Sequence, residues 1–495
     1  MGINYKSSKA EILSNLKIIS RDLGLILIMV GIANFFVLFV PIFYNEYYAI
    51  PYVLVTSFLL IIIGLILNLL GRKTEKETKL RHAVVIAGLS WIFIPIITII
   101  PFKFIGNLDL LSAFFESMSG WTTTGLTMFS DKVIPDLPHT ILFYRSFTQW
   151  VGGVGVVLLT VSILPRPGTG SYLLFVSEAR TEKILPNVIS TIRSMWWIYL
   201  FYTTLGIILL SIVGMPLWDA VNHSMCAIST GGFATIGGSI GGYKNIYIEI
   251  IIIALMFFGA TAFVAHHRLL RGKFKQFFSD MQVKTLLILI IIGGILLVIF
   301  NINYYGGNIL TSLRYSFFQY ISSQTTTGFS TVDLASWSIN SKLLISIAMI
   351  IGGAAGATCG GIKLYRFVLL SKSVAWRTKR AISSSRRIFA YKLDGKDISE
   401  KEQLDIINEV TIITFLWLIF LIIGVFVLGF TNTASPLENT FFEVCSAQGN
   451  VGMSMGITNI AMDPIGKIML IINMYMGRLE IIPIIMMIAA IFRRH

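Results

Sequence analysis

The run LGLILIMVGIANFFVLFVPIFY at residues 23–44 carries no charge, and no other feature limits so severely what this chain can fold into. About 20 apolar residues at ~1.5 Å each match the ~30 Å of hydrocarbon in a bilayer. Inside hydrocarbon every backbone amide and carbonyl must be satisfied within the protein, so such a run is a helix. Comparable runs recur near 50–71, 83–102, 140–164, 194–213, 246–265, 282–301, 342–371, 410–430 and 464–492. Composition agrees: 55% of the 495 residues are hydrophobic, 13% are charged, and the mean hydropathy is +0.78. The fold class expected is an all-α polytopic membrane protein, with no room for a large soluble domain and no pattern of short alternating strands.

The formal net charge of +14 raises nucleic acid as a partner, but the position of the basic residues argues otherwise. Ten crossings put both termini on one side, and the segments on that side hold 29 of the 39 Lys and Arg. That side is cytoplasmic by the positive-inside rule, which places the protein in the cell (plasma or inner) membrane as a multi-pass chain with both termini inside. The opposite loops hold only Lys103, Lys132, Lys244 and Arg314. The charge therefore orients the chain and is available to membrane lipid, and no nucleic acid is expected. Cys226, Cys359 and Cys445 lie far apart in apolar or glycine-rich context, which points to buried packing residues rather than disulfides or zinc. The N-terminus, MGINYKSSKAEILSNLKIISRD, reads as a short amphipathic helix and not a cleavable signal; its Ser7 is misplaced for myristoylation.

Between the apolar runs a short polar stretch repeats. TTTGLT at 122–127 returns as TTTGFS at 325–330, with weaker copies STGGFA at 229–234 and GNVGMS at 449–454. Aligned on Gly125, Gly232, Gly328 and Gly452, the copies also agree upstream: Phe115, Asn222, Phe318 and Phe442 stand ten residues earlier, and Met118, Met225, Ile321 and Cys445 seven earlier. Each upstream segment is about a dozen residues, enough for roughly half a membrane. The pattern predicts helix, re-entrant half-helix with a loop, and helix, written four times, after two extra spans. In residue numbers this is 1–78 for the N-terminus and extra spans, 79–165, 190–268 and 280–372 for three repeats, 373–408 for a cytoplasmic loop, and 409–495 for the fourth repeat.

Irregular backbone at membrane depth is tolerated where it is buried in protein or lines a water-filled cavity, so four such loops converging on one axis would enclose a pore. Half-helix C-termini carry partial negative charge, and the carbonyls of the following turn can replace an ion's hydration shell. Threonine adds oxygens without charge. A ring of neutral oxygens suits a weakly hydrated monovalent cation such as K⁺. The nearest carboxylates in the first and fourth copies, Glu116 and Glu443, lie nine residues before the glycine, in the half-helices.

These stretches, with YRSFTQWVGGVGVVLLTVSILP at 144–165, GGAAGATCGGIKLYR at 352–366 and YMGRLEIIP at 475–483, resemble the TrkH/KtrB superfamily of potassium uptake proteins, and the two extra spans look like its TrkH branch. The resemblance implies four helix–pore-helix–helix repeats around one pore, a homodimer, and control by a cytosolic nucleotide-binding regulator of the TrkA or KtrA kind. It implies ion-coordinating positions at Thr123, Thr124 and Gly125; Thr230, Gly231 and Gly232; Thr326, Thr327 and Gly328; and Asn450, Val451 and Gly452. It also implies that the glycine-rich interruption of the eighth span lies under the filter as a gate, in which Gly353, Gly356, Gly360, Gly361 and Lys363 take part. No bound cofactor is expected; K⁺ is the cargo.

Independently of the resemblance, so much glycine makes a continuous eighth helix costly at ~1 kcal/mol each, and a broken helix is expected. Arg478, eleven residues after Lys467, falls ~16 Å down the last span, near mid-membrane, where an ionisable residue is a functional candidate. Val151, Phe258 and Ala354 stand at its aligned positions, so one positive charge on one wall would oppose a cation in transit and form part of the gate. Glu480 is close in sequence but on another face. Glycines cluster at this depth, at 152, 153, 259, 352, 353 and 477, consistent with kinks or with close packing. His266, His267 and RLLRGKFK read as a solvated helix end. YKLDGK at 391–396 reads as a turn, and Ser399 with Glu402 as a capping box opening the ninth span. This region and the 165–193 loop are the expected contacts for a regulator.

The function expected is a K⁺-translocating subunit for uptake. Its rivals are a Na⁺- or H⁺-coupled K⁺ symporter of the same fold and, remotely, an intramembrane enzyme. Neither G-x-S-x-G nor H-E-x-x-H is present, and no paired aspartates face each other, so an enzyme is not expected.

Overall fold

A computed structural model describes residues 9–72, 74, 78–155, 188–383, 391–393, 396–481 and 483–487. The first long helix, Lys9–Asn34, packs along Ile50–Gly71. Small residues bring the two together: a Cβ on Gly24 would lie 2.4 Å from the Gly64 oxygen, and one on Gly71 2.3 Å from the Lys17 oxygen. Backbones this close gain packing that lipid tails do not supply. The outward face of the second helix shows Phe58, Ile62, Leu65, Ile66 and Leu69, an apolar stripe too long for a surface in water and suited to lipid. The chain is a multi-pass membrane protein.

Four units follow, each an outer helix, a short half-helix and a second helix. The half-helices are Leu110–Trp121, Leu217–Ile228, Ile309–Gln324 and Leu437–Gln448. Their starts are capped by residue type: the Asp109 carboxylate accepts from the Leu111 and Ser112 amides, Asn308 accepts from Thr311, and Pro216 and Pro436 open the other two. Their C-terminal ends meet at the centre, where the buried residues concentrate.

By length and apolar content, among the described residues six single helices are able to cross a membrane, and the bent pair Ile246–Gly259 and Phe263–Leu270 makes a seventh. Of the ten expected spans only the eighth is expected to be broken, and the structure interrupts others at the same depth. The second helix of every unit stops just below the polar turns: at Val154 before Gly155, at Gly259, at Ile351, and at Leu479 before Glu480 and Ile481. The expected span 246–265 bends by 112° at residues 260–262. There the Ala354 amide donates to the Ala260 oxygen (2.9 Å) and the Thr358 hydroxyl to the Gly259 oxygen (2.9 Å). A segment from another unit satisfies carbonyls that a continuing helix would have used. The expected last span, 464–492, likewise breaks at Glu480 and Ile481, both with positive φ.

On the other side, two short antiparallel strands, Tyr391–Leu393 and Lys396–Ile398, flank residues 394–395 of the stretch expected as a turn, which lie outside the described residues. Ser399 and Glu402 exchange the two bonds of a capping box, and Glu400–Thr431 runs on as one helix. The three cysteines are free and buried. His266, expected at a solvated helix end, is buried instead, with its ring nitrogens on the Phe258 oxygen (2.8 Å) and the Tyr202 hydroxyl (3.2 Å). The 165–187 part of the predicted regulator contact and the chain after residue 487 lie outside the described residues.

Candidate functional site: a four-part oxygen ring and the plug beneath it

Each half-helix ends in the same backbone shape. The residue two before the aligned glycine is left-handed in all four copies, with φ +57° at Thr123, +53° at Thr230, +54° at Thr326 and +53° at Asn450. The glycines follow at +89°, +78°, +87° and +97°. A β-branched residue with positive φ is a steric outlier, and three threonines in that state mark a strained, over-determined element of the kind found at functional sites.

The four turns touch in cyclic order. A Cβ built on Gly125 would lie 2.1 Å from the Gly231 carbonyl oxygen, one on Gly232 2.0 Å from that of Thr327, one on Gly328 1.8 Å from that of Val451, and one on Gly452 2.4 Å from that of Thr124. The contacts run from the first unit to the second, third and fourth and back to the first, so the turns close into a ring. Glycine is required at these positions by both its φ and the approach of the neighbouring carbonyl. The twelve residues singled out from the sequence at these turns are all brought together here, buried except for the half-buried Gly232, Gly328 and Gly452. Above the ring opens a cavity of about 500 Å³ lined by all four glycines, with Asp131 and Asp333 on its walls.

The ring is braced from behind. The Trp121 indole donates to the Thr98 hydroxyl at 2.8 Å. Ser119 accepts from the Gly125 amide (3.1 Å) and donates to the Leu126 oxygen (2.6 Å); Ser322 donates to the Phe329 oxygen (2.7 Å); Ser446 accepts from the Gly452 amide (3.0 Å). Glu116 accepts from the Met128 amide (2.8 Å) and the Thr127 hydroxyl (2.9 Å), and forms a 2.9 Å ion pair with Arg145, both side chains being buried. Arg145 also donates to the Ala234 oxygen in the second unit at 2.9 Å and stacks over Phe233. In the fourth unit Glu443 accepts from the Met455 and Thr458 amides and the Ser454 hydroxyl. Sequence reading missed the Arg145 contacts and the amide of Gln149, which donates to the Gly231 oxygen at 2.6 Å and accepts from the Phe233 amide at 3.1 Å. The matched carboxylates of the first and fourth copies were the available signal.

Residues 352–363, expected as a broken helix, leave helical geometry between Ile351 and Leu364 and pass under the ring. The Gly360 amide donates to the Thr326 hydroxyl at 2.7 Å, and the Thr358 hydroxyl donates to the Ile228 oxygen at 3.1 Å and lies 3.3 Å from that of Thr230. Gly353 and Gly361 lie within the folded loop, against Cys359 and Gly352 respectively; Gly356 has no atom within 4 Å of a built Cβ. Lys363 is turned back on its own loop, its ammonium donating to the Cys359 oxygen. Arg478 completes the plug. Its guanidinium donates to the Thr123 hydroxyl (3.1 Å) and to the oxygens of Thr358 (2.8 Å), Gly152 (2.5 Å) and Gly153 (3.2 Å), with Trp91 5.2 Å away. Glu480 pairs with Arg366, not with Arg478. Of the clustered glycines, Gly152 and Gly477 pack closely, a Cβ there lying 2.1 or 2.0 Å from the Trp121 and Gln448 oxygens, whereas Gly259 and Gly352 stand at breaks in their helices. Among the described residues no group of His, Cys, Asp or Glu is arranged to hold a metal ion.

The family model described as TrkH, cation transport protein, matches residues 49–493. An uncharacterised cation transporter of Methanocaldococcus jannaschii is 36% identical, over 95% of this chain and 94% of its own. The Trk system potassium uptake protein TrkH of Escherichia coli K12 is 32% identical over 89% of this chain and 91% of its own. The crystal structure of the potassium transporter TrkH from Vibrio parahaemolyticus superposes with a TM-score of 0.82 at 26% identity, over 95% of this chain and 97% of that one.

Proposed function

We propose, from the premise that this chain belongs to the TrkH family of cation transport proteins, that it is the K⁺-translocating subunit of an uptake system and that the four-part ring is its selectivity filter. The Escherichia coli relative, named a potassium uptake protein, and the Vibrio parahaemolyticus potassium transporter support K⁺ as the cargo. The observation that carries the filter reading is the cyclic contact of each aligned glycine with the carbonyl preceding the next glycine. Such a ring offers neutral oxygens in fixed positions, which can replace water around a weakly hydrated cation. It is also uneven: one quarter has two glycines, and another has Asn450 and Val451 in place of threonines.

The plug of residues 352–363 with Arg478 acts as the gate. It occupies the space under the ring, and the half-buried Arg478 guanidinium on the path opposes a cation. Entry is from the side away from the basic loops, with both termini cytoplasmic. The subunit works as a homodimer in a cell membrane, under a TrkA- or KtrA-like cytosolic regulator that acts on the plug. The test is K⁺ flux in proteoliposomes, with and without Na⁺ and a pH gradient. Flux that follows the K⁺ electrochemical gradient alone is expected. Strict dependence on Na⁺ or H⁺ would replace this reading by symport, and absence of K⁺ flux under all conditions would remove it.

A further inference from the structure

The four quarters of the ring are not held by the same side chains, and the exception identifies a residue. Six positions before the aligned glycine stand Ser119, Ser322 and Ser446 in the first, third and fourth units, and each bonds the backbone at its glycine or at the residue after it. In the second unit this position is Cys226, whose thiol is a weak donor and a weak acceptor. Here a side chain from the preceding unit does the bracing. Gln149, fully buried, donates its amide to the Gly231 oxygen and accepts from the Phe233 amide, so one planar group holds the residues on both sides of Gly232.

Two further observations tie Gln149 to this place. A Cβ on Gly231 would lie 2.4 Å from the Gln149 Cδ and Oε1. The second unit is therefore the one that lacks a side chain immediately before its aligned glycine, where Thr124, Thr327 and Val451 stand in the others. The Gly231 oxygen is also the one that approaches Gly125. The bond from Gln149 thus fixes, and partly neutralises, an oxygen that the filter reading assigns to the ion. The helix His139–Val154 carries Arg145, Gln149 and the Gly152 and Gly153 oxygens, spaced to share one face. These meet the second turn's outer residues, its ring oxygen and Arg478 respectively.

We infer that Gln149 is a specificity-determining positioning residue, which takes over for the second quarter of the ring the role of the missing serine and makes ion discrimination depend on the helix that also receives Arg478. This rests on the filter reading.

The test is the K⁺ to Na⁺ permeability ratio of the full chain in proteoliposomes for Gln149→Leu, Cys226→Ser and the double variant, with Gly328→Ala run in parallel. Gln149→Leu removes two hydrogen bonds and should lower the ratio roughly tenfold. Cys226→Ser alone should leave the ratio unchanged, and combined with Gln149→Leu it should recover most of the loss, because it supplies the hydroxyl used by the other three quarters. A Gln149→Leu ratio equal to the parent's overturns the inference, and so does a double variant no better than Gln149→Leu. If Gln149→Leu does not fold, Gln149→Glu decides: it keeps the oxygen facing Phe233 but loses the donor to Gly231, and a parental ratio there also overturns the proposal. Should Gly328→Ala retain the parental ratio as well, the filter reading has failed and not only the role of Gln149.

Discussion

Gly328→Ala adds one methyl group to the ring, and the structure says where it goes. The new Cβ would lie 1.8 Å from the Val451 oxygen, 2.8 Å from its carbonyl carbon and 3.1 Å from the Gly452 Cα. Real Cβ contacts essentially never fall under 3.0 Å, so one strand must retreat by about 1.2 Å. The left-handed backbone, φ +87°, adds about 1–2 kcal/mol of strain for any residue with a Cβ. That strain is tolerable in a chain of this size, but an oxygen displaced by a whole ångström no longer belongs to the ring. We expect a folded protein whose K⁺ to Na⁺ permeability ratio falls at least tenfold, or about 1.4 kcal/mol, measured by bi-ionic flux in proteoliposomes. Gly307→Ala is the matched control: its φ is +81° and nothing lies within 4 Å of its built Cβ, so it carries the strain without the collision. The reasoning is refuted if Gly328→Ala keeps the parental ratio, or if Gly307→Ala loses it equally.

Arg478→Ala removes the donor to Thr358, Gly152 and Gly153 and should raise K⁺ flux in the absence of any regulator; unaltered flux in stopped-flow liposome assays would count against the plug as gate. Arg145→Leu leaves Glu116 buried without its cation and should cost about 3–5 kcal/mol, seen as a large fall in the detergent-solubilised melting temperature, whereas Lys132→Leu on the exposed outer loop should change it little. The pH dependence has a defined sign. Burial alone would raise the Glu46 carboxyl, but bonds from the Thr140 hydroxyl and the Thr140 and His139 amides hold it below the usual range. At Asp109 burial is likewise outweighed, by bonds from Ser112 and Leu111 and the charge of Lys467. Both folded values are depressed, so their stabilisation is present above the ordinary carboxylate value of about 4 and is lost as pH falls through the lowered folded values. Thermal midpoints should drop in that acid window, and Glu46→Gln should flatten the drop.

The repeat and its half-helices were legible because each depends on local chemistry: a dozen residues cannot span, and TTTG cannot sit in lipid. The breaks below the ring were not. Residues 246–265 are apolar enough to read as one helix, and what bends them is a loop a hundred residues away that bonds Gly259 and Ala260. Arg478 shows the same boundary. Its depth follows from counting along a helix, yet its partners come from other units, and what was expected as a lone charge on a wall is a donor tied to four groups. Gln149 lay in plain view in TQWVGG, but only the closed ring reveals which oxygen it meets.

The bonds of the plug also bound what a regulator must do. Residues 352–363 are held by the Ala354 and Thr358 amides on Ala260 and Gly259, the Thr358 hydroxyl on Ile228 and Gly259, and the Gly360 amide on Thr326. The Ala355 amide on Gln282 and the Arg478 guanidinium on the Thr358 oxygen add two more. Each is worth about 0.5–1.5 kcal/mol net of water, so moving the segment aside costs several kcal/mol before any new contact forms. A shift from 1% to 99% open needs about 5.5 kcal/mol of preferential binding to the open state. Such a difference is beyond one surface ion pair at ~0–1 kcal/mol. If the plug is the gate, its regulator must therefore engage an extended surface that differs between the two states. The helices that leave the plug at Leu364 and the bend at Phe263 run from it toward the basic side and are the rigid elements able to carry that difference.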